Sequence, residues 1–292
     1  MEADEGLDLA WAEAGQGPPV VLLHGTLTTL EDMTISLAER LGRSHRVIAF
    51  DRPGFGRSTV RRFLDAGVGR QGERLHRAIA SLGLERPVIV GHSFGASVAL
   101  AMAVQEPSRV AGVVAIAPLV LPEPRLEHMI FGPRAAPFAG ELVQAGARAT
   151  TDRALLPLLW RAMWLPQVMP ESVRTGFPFA LAGRSGSACR IGEDAMAAAF
   201  DLPALVGAAG TCPVPVCIMG GDRDLVVNNG SNGRALAAVM PGGTFVDLPG
   251  LGHMAHHFAA DRIAGEVERL TREGATAGGR GLAAAWSGEG SS

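Results

Sequence analysis

The sequence predicts an α/β protein built on a doubly wound, mostly parallel sheet with a helical lid insertion. Short apolar runs recur along the chain, and amphipathic segments separate them. Strands that are apolar on both sides are typical of a parallel sheet whose two faces are covered by helices. This rhythm stops between about residues 119 and 205, where Pro, Met and Trp replace the strand-like runs. We therefore predict that this segment is a helical lid over the sheet.

Seven segments are predicted to be strands, and the first differs from the rest. Asp8–Ala14 alternates apolar and polar residues, which indicates an antiparallel strand at the start of the sheet. Glu73–Leu82 and Ala96–Gln105 are predicted to be crossover helices. The other six strand segments are continuously apolar: Pro19–His24, Arg46–Phe50, Pro87–Val90, Val110–Ala117, Val214–Met219 and Thr244–Leu248.

This pattern divides the chain into four segments. Residues 1–118 form the first part of the α/β core, residues 119–205 the helical lid, and residues 206–273 the second part of the core. Residues 274–292 are mainly Gly, Ala and Ser, a composition typical of a disordered tail. At 292 residues, one large domain with an insertion is simpler than two small domains.

Composition excludes several classes of protein. With 47% hydrophobic and 19% charged residues, the chain has ample material for a buried core. A net charge of −3 lacks the basic surplus that is typical of nucleic-acid binders. All 26 basic residues are arginine and tyrosine is absent, so a lysine Schiff base or a tyrosine acid is excluded. We expect a small-molecule substrate as the partner, with neither nucleic acid nor membrane, and leave the oligomeric state open.

The cysteines and the N-terminus indicate the compartment. Cys189, Cys212 and Cys217 are too few and too irregularly spaced for a disulfide framework or a zinc site. Cys217 lies in an apolar run and is expected in the core. The acidic start MEADEGLDLA lacks the apolar region of a signal peptide, and no run is long enough to span a membrane. These observations favour a cytoplasmic protein that needs no metal or cofactor.

The motif Gly91-His92-Ser93-Phe94-Gly95 carries the chemistry. The pentapeptide G-x-S-x-G alone is a weak signal in a chain with 38 glycines, and a glycine-rich turn with an incidental serine is the alternative. Here, however, the motif follows a predicted strand and precedes a predicted helix, which is the context that a nucleophilic serine requires. Glycines on both sides let strand and helix approach, and the strained turn presents the serine beside a helix N-terminus.

With this motif and those that follow it, the chain resembles the α/β-hydrolase family from about Leu7 to Leu270. The turn after His24-Gly25-Thr26 is similar to the family's oxyanion turn. The resemblance implies backbone N–H donors at Phe94 and at Thr26, with Leu27 as the alternative to Thr26. The segment 51–58 (DRPGFGRS) resembles a structural family loop in which Asp51 holds backbone N–H groups, a catalytic Asp51 being the alternative.

The remaining catalytic residues are implied by the same resemblance. Asp224 follows the strand VPVCIM in the family's G-x-x-D pattern, with Asp222 as the fallback. His253 follows the last strand in the family's G-H pattern. The order Ser93, Asp224, His253 is the order in which this fold carries its catalytic triad. Ser93 is then the nucleophile, His253 the general base and Asp224 the acid that orients the imidazole.

The other histidines and the aromatic residues of the lid have less specific interpretations. His24 is expected to be buried and structural, His92 to pack or donate a hydrogen bond, and His256 and His257 to be solvated helix residues. Nothing in the spacing resembles a metal cluster. Five residues of the lid are expected either to line an apolar substrate pocket or to bury the lid's own face: Trp160, Met163, Trp164, Phe177 and Phe179.

The predicted function is hydrolysis of a carboxylic ester, lactone or thioester through an acyl-enzyme on Ser93. Two alternatives keep the same triad: cleavage of a C–C bond in a diketone, and perhydrolase-type chemistry. A third is a ligand-binding protein without turnover. Family members that cleave carbon–halogen bonds or epoxides use an aspartate nucleophile, so the serine makes those activities unexpected.

Overall fold

A seven-stranded sheet forms the centre of the computed structural model, which describes residues 9–121, 123, 126–137, 139–149 and 152–286. The strand order is β1-β3-β2-β4-β5-β6-β7. β1 pairs antiparallel with β3, and the other neighbours are parallel, so the predicted sheet is confirmed. The strands are β1 (Trp11–Ala14), β2 (Pro19–Leu23), β3 (Arg46–Phe50), β4 (Val88–His92), β5 (Gly112–Ile116), β6 (Val216–Gly221) and β7 (Gly243–Leu248).

Helices connect the strands and fill the long segment between β5 and β6. In chain order the α-helices are α1 (Leu30–Met33), α2 (Glu39–Leu41), α3 (Gly67–Ser81), α4 (Phe94–Gln105), α5 (Leu126–Phe131), α6 (Ala139–Ala149), α7 (Asp152–Met163), α8 (Glu171–Gly176), α9 (Phe179–Ala182), α10 (Ser185–Ala209), α11 (Ala235–Val239) and α12 (Ala260–Trp286). Two π-helical turns (Thr34–Ala38, Gly230–Arg234) and three 3-10 turns (Pro107–Arg109, Gly132–Ala135, Ala255–His257) complete the described elements.

The core lies on both faces of the sheet, because successive strand side chains point to opposite sides. Val21 and Leu23 of β2 join one apolar cluster with α3, α4, α10 and α11. Val20 and Leu22 join the other, with α1, α2 and α12. Every one of these four side chains is fully buried, which explains why the strand reads as an unbroken apolar run.

α10 joins the insertion, defined here as the residues between β5 and β6, to the core. Its last turns place Leu202 and Leu205 in the core cluster beneath the sheet. The predicted lid boundary at residue 205 therefore falls inside one helix. The helix continues past Pro203 although proline normally disfavours a helix interior. The insertion is thus anchored to the core by a continuous helix.

The last helix extends into the segment for which the sequence predicts a disordered tail. α12 continues through Trp286, and residues 287–292 lie outside the described part of the chain. At Gly274 the helix passes so close to Ala111 that an added Cβ atom would lie 3.0 Å from the Ala111 Cβ.

The burial of Cys217 and the hydropathy of the helices agree with the sequence analysis. Cys217 is fully buried in β6, as expected, and burial raises the pKa of its thiol to about 12. Cys212 is also buried, and it and Cys217 are free thiols. Within the described residues, no helix combines the length and the hydropathy needed to cross a bilayer.

Candidate active site

Ser93 occupies a strained turn between β4 and α4. Its φ of +53° lies in the left-handed region that favours glycine. A non-glycine residue there costs about 1–2 kcal/mol, so its surroundings must hold it. The Ser93 N–H donates to the Ile116 carbonyl at 2.8 Å, and the Ser93 carbonyl accepts from the Ala96 N–H at 2.9 Å. These bonds fasten the turn between the end of β5 and the first turn of α4.

The glycines on either side of Ser93 are required by close backbone approach. A Cβ atom at Gly91 would lie 2.6 Å from the Ala96 Cα, and one at Gly95 would lie 2.8 Å from the Leu23 carbonyl carbon. Both distances are well inside van der Waals contact, so a larger residue would push β2, β4 and α4 apart. The sequence interpretation of these glycines is confirmed.

The turn after β2 lies directly against Ser93. A Cβ atom at Gly25 would lie 3.2 Å from the Ser93 Cβ. Leu27 adopts a left-handed φ of +61°, which turns the backbone sharply after Thr26. Phe94 is the first residue of α4, so its N–H has no acceptor within the helix. The turn that contains Thr26 and the helix start at Phe94 therefore both adjoin Ser93, and their role as oxyanion donors stays a prediction.

Arg52 holds the turn after β2 in place, and sequence reasoning missed it. Its Nε donates to the His24 carbonyl at 2.8 Å and its Nη2 to the Gly25 carbonyl at 3.0 Å. Its Nη1 donates to Gln71 of α3 at 2.7 Å and lies 3.6 Å from the carboxylate of Asp194 in α10. Burial lowers the pKa of Arg52 to about 10, which leaves it charged at neutral pH. One fully buried guanidinium thus ties the turn to α3 and to the insertion.

His24 and Asp51 have the structural roles that the sequence predicts. His24 Nδ1 donates to a neighbouring backbone carbonyl at 2.8 Å, and its Nε2 accepts from the Arg52 N–H at 3.0 Å. Burial, aided by the charge of Arg52, lowers the pKa of His24 to about 3, so the ring is neutral. Asp51 accepts from the N–H groups of Leu30 and Arg57, both at 2.8 Å. Arg52 directly follows Asp51 in the sequence, and this position beside a predicted structural carboxylate is the feature that could have identified Arg52.

Asp224 lies in the loop after β6, surrounded by donors. Its Oδ1 accepts from the N–H groups of Val226 at 2.8 Å and Val227 at 2.9 Å. Its Oδ2 bonds to the Asn229 amide at 3.1 Å and to His253 Nδ1 at 2.9 Å. Burial alone would raise the pKa of Asp224, but His253 and the backbone donors outweigh it and hold the pKa below its usual range. The carboxylate is therefore ionised when it meets the imidazole.

Two hydrogen bonds position His253, one at its ring and one at its backbone carbonyl. Because Nδ1 donates to Asp224, the neutral imidazole keeps its lone pair on Nε2. The His253 carbonyl accepts from His92 Nε2 at 3.0 Å, and the two rings are 4.8 Å apart, as expected for a packing role of His92. His92 directly precedes Ser93, so this bond holds the His253 loop beside the elbow. The fallback Asp222 is exposed and instead accepts from the Gly250 N–H at 2.6 Å.

The five predicted pocket residues lie in one apolar cluster of the insertion. They are Trp160, Met163, Trp164, Phe177 and Phe179. The same cluster contains Leu27 of the turn after β2 and Met254, the residue after His253. Trp160 Nε1 donates to the Leu27 carbonyl at 2.9 Å. The rings of Phe177 and Phe179 pack edge to face at 4.9 Å. The cluster therefore both buries the insertion's own face and reaches the segments around Ser93.

The prediction that His256 and His257 are solvated helix residues is wrong. Both lie in the 3-10 turn before α12, with side chains 0% and 3% exposed, and both face the buried carboxylate of Asp32. Burial lowers the pKa of His256 to about 4. Burial would raise the pKa of Asp32, but the two imidazoles hold it well below its usual range. The sequence could not show this, because Asp32 is more than 200 residues away.

Comparison with known proteins supports the fold described above. The model of the α/β-hydrolase fold matches residues 18–159. That range includes the elbow with Ser93 and the turn after β2, and the matching solved structures cover about nine tenths of the chain. The chain therefore has the α/β-hydrolase fold.

Several curated proteins resemble the chain in sequence. Epoxide hydrolase B of Mycobacterium tuberculosis is 37% identical over 102 residues, which are 35% of this chain and only 29% of that protein's length. Haloalkane dehalogenase 2 of Mycobacterium bovis is 26% identical over 278 residues, covering 88% of this chain and 89% of its own. The 2-hydroxy-6-oxo-2,4-heptadienoate hydrolase of Pseudomonas putida is 35% identical over 112 residues, 37% of this chain and 40% of its own.

Solved structures share the fold over most of the chain. An esterase from Thermogutta terrifontis has a TM-score of 0.70 at 22% identity, covering 91% of this chain and 93% of its own. An enol-lactonase from Burkholderia xenovorans has a TM-score of 0.68 at 20% identity, covering 90% and 95%. At such identities the likeness describes the fold and not the reaction.

Replacement of Gly95 tests the close approach at the elbow. We expect Gly95→Ala to lower the free energy of unfolding by about 2–4 kcal/mol, because the added Cβ overlaps the backbone of β2. The matched control is Gly207→Ala on α10, where nothing lies within 4 Å of an added Cβ. This control should be neutral or stabilising by up to about 1 kcal/mol. Chemical denaturation measures both, and equal effects would contradict the proposed packing.

Replacement of Asp224 tests the ionised state of its carboxylate. The pKa of Asp224 is lowered in the folded protein, so its ionised form contributes stability above the unfolded-state pKa. That contribution is lost as the pH falls through the folded-state value. The difference in unfolding free energy between the wild type and Asp224→Asn should therefore shrink between about pH 5 and about pH 3. Asp222→Asn, which removes an exposed carboxylate, is the control; a pH-independent difference for Asp224→Asn would contradict the assignment.

Proposed function

We propose that this chain is a serine hydrolase of small to medium, largely apolar carboxylic esters, lactones or thioesters. The observation that supports this proposal most directly is the 2.9 Å bond between His253 Nδ1 and Asp224 Oδ2, on a loop that His92 fastens beside Ser93. That arrangement matches the order and the roles of a Ser-His-Asp triad.

In the proposed reaction, Ser93 attacks the substrate carbonyl carbon while His253 Nε2 takes the hydroxyl proton. Serine alone is a poor nucleophile at neutral pH, and a neutral imidazole with a free Nε2 lone pair supplies the base. The Asp224 carboxylate holds the imidazole in this tautomer and stabilises the imidazolium that forms. The protonated His253 then gives its proton to the departing alcohol, thiol or ring oxygen.

The developing oxyanion needs donors that stand ready before the reaction. The N–H of Phe94, at the start of α4, is one donor, and the N–H of Thr26 is the other, with Leu27 as the alternative. Each donor of this kind contributes about 3 kcal/mol to transition-state stabilisation. Arg52 is a positioning residue in this scheme, because its two bonds to the carbonyls of His24 and Gly25 hold the turn that presents Thr26.

Hydrolysis of the acyl-enzyme completes the cycle. His253 removes a proton from a water molecule, the resulting hydroxide attacks the acyl carbon, and Ser93 leaves with the proton that His253 returns. The scheme requires no cofactor or metal in the reaction. Its products are a carboxylic acid and an alcohol or thiol, or a hydroxy acid from a lactone.

The serine disfavours the reactions named for two of the relatives. Displacement of a halide or opening of an epoxide by Ser93 would leave a serine ether, and water does not readily cleave an ether. A carboxylate nucleophile instead forms an ester that water can hydrolyse. The proposal therefore keeps the fold of those relatives and assigns carbonyl chemistry to this chain.

The aromatic cluster of the insertion is proposed to form an apolar wall of the substrate pocket and to act as a lid. Its contacts with Leu27 and Met254 place it against the turn and the loop that carry the proposed oxyanion donor and base. Burial of an apolar acyl or alcohol group against such rings is favourable, at roughly 25 cal/mol per Å² of apolar surface. A small-molecule partner and a cytoplasmic location remain predictions.

Hydrolysis of a C–C bond in a diketone is the second candidate function. It uses the same three residues, and one relative is named as a 2-hydroxy-6-oxo-2,4-heptadienoate hydrolase. Perhydrolase-type chemistry and binding without turnover are weaker alternatives, since a binding protein has no need for an ordered Asp224–His253 pair.

The Ser93→Ala variant tests the nucleophile. We expect at least a 1,000-fold loss of turnover with a melting temperature near that of the wild type, because only the hydroxyl is removed. A fluorophosphonate should label the wild type at Ser93, located by mass spectrometry of the native protein. Substantial residual turnover in the variant would overturn the assignment, and an unreactive Ser93 would favour the binding protein.

The Trp160→Phe variant tests the proposed link between the lid and the oxyanion turn. It keeps an aromatic ring but loses the donor to the Leu27 carbonyl, so we expect a roughly 10-fold lower kcat on p-nitrophenyl esters of graded acyl length. Phe200→Leu, at an exposed position of α10, is the control and should keep its activity. Failure to turn over any ester, lactone or thioester together with cleavage of a 1,3-diketone would establish the C–C hydrolase instead.

A further inference from the structure

A buried carboxylate surrounded by imidazoles lies next to the proposed triad and has no part in the reaction. Asp32 belongs to α1, His92 ends β4, and His256 and His257 belong to the 3-10 turn Ala255–His257. Asp32, His92 and His256 are at most 1% exposed. The ring of Trp164 covers His257 at a centroid distance of 4.8 Å. Three elements of the fold and the Trp164 side chain therefore enclose one polar cluster, named here the Asp32 cluster, that water scarcely reaches.

The spacing of the potential ligand atoms suits a single metal ion. Asp32 Oδ1 accepts a hydrogen bond from His257 Nε2 at 2.8 Å and lies 3.3 Å from His256 Nε2. One atom from each of these three residues can be chosen so that all lie within 4.8 Å of one another. Atoms that share one zinc ion at about 2.0–2.2 Å stand about 3–4 Å apart. The cluster already approaches that spacing.

Several buried atoms of the cluster have no hydrogen-bond partner and would be satisfied by a cation. Within the described residues, Asp32 Oδ2, His92 Nδ1 and both ring nitrogens of His256 are buried without a hydrogen-bond partner. His92 Nε2 donates to the His253 carbonyl, so the neutral ring carries its lone pair on Nδ1. That lone pair stands 3.9 Å from Asp32 Oδ2, which is also an acceptor. Two buried acceptors that face each other are unfavourable unless something positively charged or a donor lies between them.

We propose that Asp32, His256 and His257 bind a divalent first-row transition-metal ion. Two imidazoles and one carboxylate favour zinc and its neighbours over magnesium or calcium, which prefer all-oxygen sets. Binding would replace the hydrogen bond between His257 Nε2 and Asp32 Oδ1 by a bond from each atom to the ion, with the His257 proton on Nδ1. The ion would balance the buried carboxylate.

The site would stiffen the loop that carries the proposed base. His256 and His257 follow His253 by three and four residues, and His92 holds the His253 carbonyl through its Nε2. A metal on His256 and His257 would fix the segment that directly follows His253. The ion has no step in the reaction. Its presence can be tested whether or not the chain hydrolyses esters.

Zinc binding to the full chain is the primary test. We expect chelator-treated protein to bind one zinc per chain by calorimetry and by elemental analysis, with Kd below about 1 μM, and its melting temperature to rise by about 5 °C. Asp32→Asn and His256→Gln should weaken binding at least 100-fold. His76→Gln is the control, because His76 is a buried histidine of α3 that bonds only to the Met102 carbonyl among the described contacts.

A gain-of-signal variant covers the case in which loss of a buried ligand unfolds the chain. His256→Cys loaded with Co²⁺ should show a thiolate-to-cobalt charge-transfer absorption band that neither the wild type nor His76→Cys shows. Uptake of less than about 0.1 zinc per chain by the wild type, with no change in its melting temperature, would overturn the proposal in favour of a water-bridged cluster. Unchanged zinc binding by a folded Asp32→Asn variant, or no band in folded His256→Cys, would overturn it as well.

Discussion

Close contact between three backbone segments at the elbow is the constraint on which the rest of the site depends. β2, β4 and α4 meet so tightly that Gly91 and Gly95 have no room for a Cβ atom. This approach forces Ser93 into a left-handed conformation, and it brings the turn after β2 to within van der Waals distance of the serine. The proposed nucleophile therefore depends on the same packing that holds the turn after β2 and the start of α4.

Buried polar bonds extend this arrangement outwards. Arg52 connects the turn after β2 to α3 and to Asp194 of α10, while Trp160 reaches the same turn from α7. A buried charge is costly unless it is paired and hydrogen-bonded, and Arg52 has four such partners on three elements. The insertion is thereby coupled to the turn beside Ser93. Changes in the insertion are expected to reach the proposed oxyanion donors through these two side chains.

The loop after β7 has two sides with different chemistry. On one side His253 meets the ionised Asp224, and on the other His256 and His257 meet the buried Asp32. His92 lies between the two carboxylates and bonds to the loop backbone. The same short stretch therefore serves the proposed proton transfer and the proposed metal site, and stiffening one side positions the other.

The sequence by itself determined the sheet, the parallel direction of the strands after β1 and the turn at Ser93. It also determined Asp224 and His253, which lie in local motifs. These features follow from short-range patterns: unbroken apolar runs, glycines that flank a serine, and the spacing of Gly221 and Asp224. Only the tertiary structure decided the roles of Arg52, Asp32, His256 and His257. It also decided that α10 runs across residue 205 and that α12 runs beyond residue 273. Those features depend on contacts between residues far apart in the chain, and a buried histidine and a solvated one look alike until the packing around them is known.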